Sequence, residues 1–241
     1  MTLALLALIA LVAFGTEGAI GFGGTVIAAC IGAQLIPLDQ LLPAFVPLNL
    51  AMSAWLIASG RDAIAWRVLV KTIALPVAIG AAIGLALFHL PAKHLLAAGF
   101  GGFVALLAVL QLVRPASGAL SRVWRSAFLV AGGVAHGLFG TGGPMIVYVT
   151  RRELADKRSF RATLAVLWFV LNIALLVNFL ALGLYGSATV ELGGVIALAL
   201  IPGLWLGERL HRYLDGARFE RAVWSLLLVA GLALAIRSAL A

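Results

Sequence analysis

Two glycine-rich segments hold the residues of this chain that could carry out chemistry. The first segment opens with Glu17 and the second with His136, and each of these ionisable residues is followed by four glycines within seven positions. Ionisable residues inside apolar segments are candidates for function. Either side chain could exchange a proton, and His136 could also contact a ligand. The alternative is that both side chains only satisfy backbone amides that the broken helices leave unpaired.

Glycines at this density interrupt a helix, and a helix that restarts after the break presents unpaired N–H groups at its N-terminus. Those groups and the helix dipole favour a negative charge. Asn49 and Asn172 lie in apolar stretches and could donate to an anion, or could bridge helices, which is the commoner use of membrane asparagine. The predicted substrate-binding residues are Gly21, Gly23, Gly24, Thr25, Asn49, His136, Gly140, Thr141, Gly142, Gly143 and Asn172. Glu17 and His136 are the candidates for proton coupling.

The elements that position these residues must be membrane helices. Of 241 residues, 63% are hydrophobic and 11% are charged, and the mean hydropathy is +1.13, whereas soluble domains carry about 25% charged residues. The apolar residues 3–14 resemble the core of a signal peptide without its basic flank, so we expect them to remain in the mature protein. Six stretches have the length of a membrane span, at 39–59, 67–88, 93–113, 161–183, 189–206 and 219–240.

Two further apolar regions, 3–33 and 124–150, contain the glycine-rich segments. The pieces on either side of each interruption are expected to be about 10 to 14 residues long, which is typical of re-entrant hairpins. If the region 124–150 enters and leaves on one face, fifteen of the seventeen Lys and Arg residues share that face. Such an excess marks cytoplasmic loops, here 60–71, 114–125, 151–161 and 207–221.

This bias accounts for the net charge of +8 without a nucleic-acid partner. The single cysteine, Cys30, excludes an internal disulfide. No phosphate-binding loop, zinc-protease motif or serine-hydrolase motif is present in the sequence. We therefore expect no enzyme activity, no cofactor and no metal site.

The two glycine-rich segments align at a constant offset of 119, with four coincident glycines. Asn49 corresponds to Asn172 further along, and Pro76 with its following glycines resembles Pro202 with its own. The fold class that we predict is an all-α polytopic membrane protein with an inverted-topology repeat, 1–117 and 118–241. Each repeat is a glycine-broken hairpin followed by three spans. The pairs Gly80/Gly84 and Gly203/Gly207 are expected to serve close helix packing.

The paired motifs Gly18 to Gly24 and Gly137 to Pro144, with Pro202-Gly203, resemble those of the sulfite exporter TauE/SafE family of small bacterial transporters. The resemblance covers nearly the whole chain. It implies transport of a small sulfur-containing anion, such as sulfite, thiosulfate, sulfoacetate, isethionate or a taurine-related sulfonate. The first motif differs from the family pattern, since Gly-Phe-Gly-Gly-Thr stands where many relatives carry Gly-Gly-Gly and Pro.

The function expected from the sequence is therefore secondary transport of such an anion across the inner membrane by alternating access. In this hypothesis two half-helix N-termini hold the anion. The alternatives are an intramembrane enzyme that uses Glu17 and His136, or a passive small-anion channel. The expected partners are the anionic substrate and the lipid bilayer, with a homodimer left open.

Overall fold

The computed structural model describes residues 2–32, 34–88, 93–113, 120–213 and 216–240. All regular structure in these residues is helical, which confirms the predicted all-α class. Five helical segments are long and apolar enough to cross a membrane: Leu3–Ile20, Leu38–Ala63, Trp66–Leu87, Lys157–Ala181 and Ser187–Tyr213. Large apolar side chains such as Leu75 and Ile201 are exposed on the outer surface, as expected of a surface that meets lipid.

Both glycine-rich segments break a helix. Helix α1 covers Thr2–Ile20, and after a three-residue gap α2 covers Gly24–Ile27 and continues as a π-helical turn over Ala28–Gly32. In the second half, α7 covers Arg122–Phe139 and α8 covers Gly143–Glu153. The expected piece length was wrong for the helices before the breaks, because α1 has 19 residues and α7 has 18.

Four long helices and one helix with a π-helical interruption lie outside these broken segments. Helix α3 covers Leu38–Gly60, α6 covers Lys93–Val113, α9 covers Lys157–Ala181 and α12 covers Gly216–Leu240. Between α3 and α6, a single turn, α4 (Trp66–Val68), leads through a π-helical stretch at Leu69–Ala74 into α5, Leu75–Leu87. The π-helical stretch ends two residues before Pro76, whose ring cannot accommodate the carbonyl four residues earlier in a regular helix.

The predicted single span 189–206 is two helices, α10 (Ser187–Ala197) and α11 (Leu200–Tyr213). Pro202 explains the interruption. A proline inside a helix removes one hydrogen bond and clashes with the carbonyl of the residue four positions back. That residue is Leu198, where α10 has ended.

Glycines pack four helices into two close parallel pairs. Helix α5 packs on α7, and a Cβ at Gly80 or Gly84 would collide with α7 backbone at Val130 or Val134. Helix α11 packs on α1 in the same way, since a Cβ at Gly207 would lie 2.8 Å from the Gly15 carbonyl oxygen. The prediction that these glycine pairs serve close helix packing is confirmed.

Two further pairs join helices that occupy corresponding places in the two halves. Helix α3 packs on α9, and its last residue, Gly60, meets Ala162 near the start of α9. Helix α6 packs on α12 through Gly101 and Gly231, with the backbone of Ala235 also close to Gly101. The contacts of Gly60 make the α3–α9 pair antiparallel.

Polar contacts gather the four basic segments on one face of the protein. Arg125 forms an ion pair with Glu153 at 3.0 Å, so α7 begins where α8 ends. Arg158 pairs with Asp62 at 2.8 Å, and the Lys157 ammonium donates to the backbone carbonyl of His211 at 3.0 Å. The described parts of the four basic segments, 60–71, 120–125, 151–161 and 207–213, are therefore linked by these contacts.

The loops within these segments are shorter than predicted, because α7, α9 and α11 extend into them. Arg161, which was assigned to a loop, lies in α9 and is 8% exposed. Residues 114–119, 214 and 215 lie outside the described residues, and so do the predicted repeat boundary at 117 and the side chain of Cys30.

We predict that Gly101→Ala destabilises the protein while Gly102→Ala does not. A Cβ at Gly101 would lie 2.6 Å from backbone atoms of both Gly231 and Ala235, whereas a Cβ at Gly102 meets nothing within 4 Å. Overpacking of this kind costs about 1–3 kcal/mol. The measurement is the thermal denaturation midpoint of purified protein in detergent, and equal midpoints for the two variants would contradict this packing.

Asp156 caps α9, the helix that carries Trp168 and Asn172. Its carboxylate accepts from the Ser159 backbone N–H at 2.8 Å, and this bond lowers the pKa of Asp156 below its ordinary value of 3.8. We predict that Asp156→Ala costs about 1 kcal/mol of stability at neutral pH.

Because the folded-state pKa of Asp156 is lowered, its contribution is present above pH 3.8 and is lost as the pH falls through the folded-state pKa. Chemical denaturation at neutral and acidic pH measures this difference. Asp156→Asn is the matched control, since asparagine caps without titrating. A pH-independent gap between Asp156→Ala and the unmodified protein would contradict the assignment.

Candidate functional site

The first break is built around two glycines in the left-handed region. Gly21 and Gly23 have φ values of 82° and 95°, which L side chains rarely adopt. Gly24 then starts α2 against Glu17, and a Cβ at Gly24 would overlap the Glu17 carboxylate. The glycines thus reverse the chain so closely that the α2 N-terminus touches a side chain of α1.

The carboxylate of Glu17 caps α2. The backbone N–H of Thr25 donates to it, and the Asn49 amide nitrogen donates at 3.1 Å when that amide is oriented toward the carboxylate. In this orientation the Asn49 carbonyl oxygen accepts from the Thr25 hydroxyl at 2.6 Å. Glu17 and Asn49 are 2% and 1% exposed, so the network is closed to solvent. The hydrogen-bond acceptor at this N-terminus therefore comes from the protein itself.

The carbonyl groups at the end of α1 are satisfied by side chains from the second half of the chain. Arg161 donates to the Gly18 carbonyl at 2.7 Å and pairs with Glu208 at 3.0 Å. The indole of Trp168 donates to the Gly21 carbonyl at 2.8 Å, and His211 Nδ1 lies 2.7 Å from the Ala19 carbonyl. Helix ends buried in a membrane need such partners.

The second break has the same outline with different chemistry. Gly140, at φ 65°, ends α7 and donates to the His136 carbonyl at 2.8 Å. Gly142 lies against Gly132, and a Cβ on Gly142 would overlap the Gly132 carbonyl. Helix α8 then starts at Gly143 with Pro144 in its first turn and with no side-chain cap. The N–H groups left at the α8 N-terminus are those of Gly143 and Met145, because Pro144 has no N–H and Ile146 donates to the Gly142 carbonyl at 3.3 Å.

The two breaks meet at a cavity of about 20 Å³, room for about one water molecule. Glycines, hydroxyls, amides and aromatic rings from both halves line it: Glu17, Phe22, Gly23, Thr25, Asn49, His136, Gly140, Thr141, Gly142, Gly143, Trp168 and Asn172. The segments that the sequence singled out thus come together. Gly21 and Gly24 do not line the cavity, because Gly21 faces Arg161 and Gly24 faces Glu17.

Phe22 and Trp168 line the cavity although the sequence reasoning missed them. Trp168 stacks on the His136 ring, with centroids 5.8 Å apart and planes 14° apart. One signal in the sequence could have indicated Trp168. Tryptophans in membrane helices favour the ends of spans, and Trp168 lies inside α9, eleven residues from its start.

Two polar side chains at this cavity lack partners among the described residues. Both ring nitrogens of His136 and both amide atoms of Asn172 have no hydrogen bond, although these residues are 3% and 1% exposed. A buried unpaired polar group costs about 1–3 kcal/mol. Such a cost is retained at sites where a ligand supplies the missing partners. His136 and Asn172 correspond in sequence to Glu17 and Asn49, whose hydrogen bonds are complete.

A multi-pass helical membrane protein with a small polar cavity between two broken helices is the class that these features define. The model of the family described as sulfite exporter TauE/SafE matches residues 6–234. The chain belongs to this family of membrane transporters.

A probable inner membrane transporter protein TsaS of Comamonas testosteroni is 34% identical over 103 residues. The alignment covers 42% of this chain and 43% of that relative, less than half of each. No solved structure matches the chain.

The two asparagines should differ in their effect on stability. We predict that Asn49→Leu destabilises the protein by about 1–3 kcal/mol, because Glu17 and Thr25 lose a partner in a closed environment. Asn172→Leu should be neutral or stabilising, since it removes an amide that has no partner among the described residues. Thermal denaturation in detergent without added anion measures both. A larger loss for Asn172→Leu than for Asn49→Leu would contradict the assigned hydrogen bonds.

Proposed function

We propose that this protein is a secondary transporter of a small sulfur-containing oxyanion, which binds in the cavity between His136 and Asn172. The observation that carries the proposal is the pair of buried, unpartnered polar side chains beside the uncapped N-terminus of α8. His136 donates through one ring nitrogen when neutral and through both when protonated, and Asn172 donates two N–H groups. Together with the Thr141 hydroxyl, they surround a bound anion mainly with donors.

The two broken helices take unequal parts in this proposal. Our sequence hypothesis placed one anion between two equivalent half-helix N-termini. At α2 the Glu17 carboxyl group already occupies that position, so an anion cannot take the same place. Helix α8 has 11 residues and an N-cap without a side-chain hydrogen bond. The substrate therefore belongs on the α8 side of the cavity.

An inverted repeat would provide alternating access. The helix pairs support it. In the proposed repeat, α1 corresponds to α7 and α5 corresponds to α11. Exchanging the two halves therefore turns the contact between α1 and α11 into the contact between α7 and α5, and both contacts are present. The same exchange leaves the pairs α3 with α9 and α6 with α12 unchanged, and α3 runs antiparallel to α9. We propose that 1–117 and 118–241 are the two repeats, that both broken segments are re-entrant, and that the halves rock about the cavity.

The size of the cavity indicates what must move. Sulfite places three oxygens around sulfur and needs more room than the single water that about 20 Å³ allows. Binding therefore requires the linings of the two breaks to move apart. Arg161 and His211 near the basic face, and Trp168 at the cavity, hold the end of α1 against the second half, and these contacts would have to break for the cavity to open toward that face.

The orientation and the substrate class follow from charge and from relatives. We propose that the face where the four basic segments meet is cytoplasmic and that the protein lies in the inner membrane, the location in the relative's name. The family's description as sulfite exporters supports sulfite, thiosulfate or a short organosulfonate such as sulfoacetate, isethionate or a taurine-related compound as substrate.

The test is whether purified protein binds sulfite, thiosulfate, isethionate, sulfoacetate or taurine. Thermal shift and calorimetry measure the binding. We predict that at least one of these compounds binds. His136→Ala and Asn172→Ala should each weaken that binding by about one to two orders of magnitude, since a hydrogen bond to a charged group contributes about 1.5–3 kcal/mol.

Asn178→Ala is the matched control, because Asn178 lies on α9 but does not line the cavity. Equal affinity of all three variants would contradict the site. In liposomes, saturable counterflow of the bound anion distinguishes transport from a channel. Full flux by the His136 and Asn172 variants would argue against transport through this cavity.

A further inference from the structure

We propose that Glu17 is the proton-binding site of the transport cycle and that it takes up one proton for each anion bound at His136 and Asn172. This inference rests on the proposed function, because it concerns the same cavity. Three features of the molecule carry it. The hydrogen-bond network around Glu17 fits both of its protonation states, the Glu17 carboxylate has no counter-charge among the described residues, and Glu17 lines the cavity in which we propose that the anion binds.

The network around Glu17 accommodates the carboxyl group with and without its proton. When Glu17 is ionised, the Asn49 nitrogen donates to the carboxylate at 3.1 Å, and the Thr25 hydroxyl donates to the Asn49 oxygen at 2.6 Å. With the amide turned over, the Asn49 nitrogen donates to the Thr25 hydroxyl oxygen at the same 2.6 Å. The Asn49 oxygen then faces Glu17 and accepts from the protonated carboxyl group.

Asn49 and Thr25 therefore exchange donor and acceptor roles when the Asn49 amide rotates by 180° and the Thr25 hydroxyl turns. An amide and a hydroxyl are the side chains that can do this, because each holds both a donor and an acceptor. The Thr25 backbone N–H can donate to the second carboxyl oxygen in either state. The carboxyl group gains or loses a proton and keeps all of these contacts, which is what a reversible proton carrier requires.

The carboxylate has no counter-charge among the described residues. The cations and acids that face the end of α1 from neighbouring helices are already committed. Arg161 of α9 pairs with Glu208 of α11, and His211 of α11 contacts the Ala19 carbonyl. His136 of α7 lines the same cavity, while Asp39 of α3 and Glu191 of α10 are exposed.

An anion in the cavity would lie beside the Glu17 carboxylate, since both occupy one small chamber. Two like charges at such range in a water-poor interior repel strongly, and protonation of one removes the repulsion. Anion binding must then favour proton uptake, and by linkage proton binding must strengthen anion binding by the same factor. The proton and the anion are carried together.

The direct measurement is proton uptake by wild-type protein. We would mix weakly buffered protein in detergent with thiosulfate, whose own charge is constant near neutral pH, and follow a pH-indicator dye. We expect about one proton per bound thiosulfate in the range where Glu17 is ionised in the unliganded protein. In that range, thiosulfate affinity should fall about tenfold for each unit of rising pH. Binding without proton uptake at any pH would overturn the proposal.

The variant Glu17→Gln assigns the proton to this residue. Glutamine keeps the shape of the protonated acid and can bond to Asn49, so Glu17→Gln should bind thiosulfate with pH-independent affinity and without proton uptake. In liposomes it should retain thiosulfate counterflow but lose accumulation driven by a pH gradient. Glu191→Gln, at an exposed position of α10, is the control and should behave as wild type.

The remaining outcomes separate this inference from the proposed function. If Glu17→Gln binds thiosulfate and keeps the proton uptake, the proton site is another group, and the inference is wrong while the transporter proposal stands. If neither thiosulfate nor the other sulfur anions bind at any pH, the proposed function fails, and the coupling fails with it. Because wild-type proton uptake needs no substitution, misfolding of a variant cannot hide either result.

Discussion

The constraint on which this structure depends is that every polar backbone group at membrane depth needs a partner inside the protein. Two helices break between lipid-facing walls, and each break releases carbonyl and amide groups. At the first break, Glu17 covers the new N-terminus, and Arg161, Trp168 and His211 cover the old C-terminus. The second break leaves its N-terminus without a side-chain cap.

That difference gives two similar breaks different chemical surroundings. Close glycine contacts hold the breaks in equivalent places, because α1 lies on α11 much as α7 lies on α5. Equivalent positions then carry different chemistry: an acid with a complete set of hydrogen bonds on one side, and His136 and Asn172 without partners on the other. A pair of equal N-termini would offer an anion two similar places, whereas this arrangement offers one.

The closure of the cavity also follows from packing. The glycines that let the helices approach leave only about 20 Å³ between the breaks. Near the basic face, Arg161 and His211 bond to carbonyl groups of α1, and Arg158 pairs with Asp62, so polar contacts join the two halves there in addition to the close helix pairs. Arg161 joins α9 to both α1 and α11.

Composition and glycine spacing were enough to predict an all-helical membrane protein, the two breaks, and ten of the twelve cavity-lining residues, because hydropathy and backbone freedom are local properties. The sequence reasoning could not predict which buried side chains have hydrogen-bond partners. Glu17 and His136 occupy matched positions in the alignment of the two halves, and so do Asn49 and Asn172. It also missed Trp168 and the burial of Arg161, which reach α1 from about 140 residues away in the chain. Partners that distant are chosen by how the helices pack, and only the tertiary structure decides which buried groups are satisfied and which wait for a ligand.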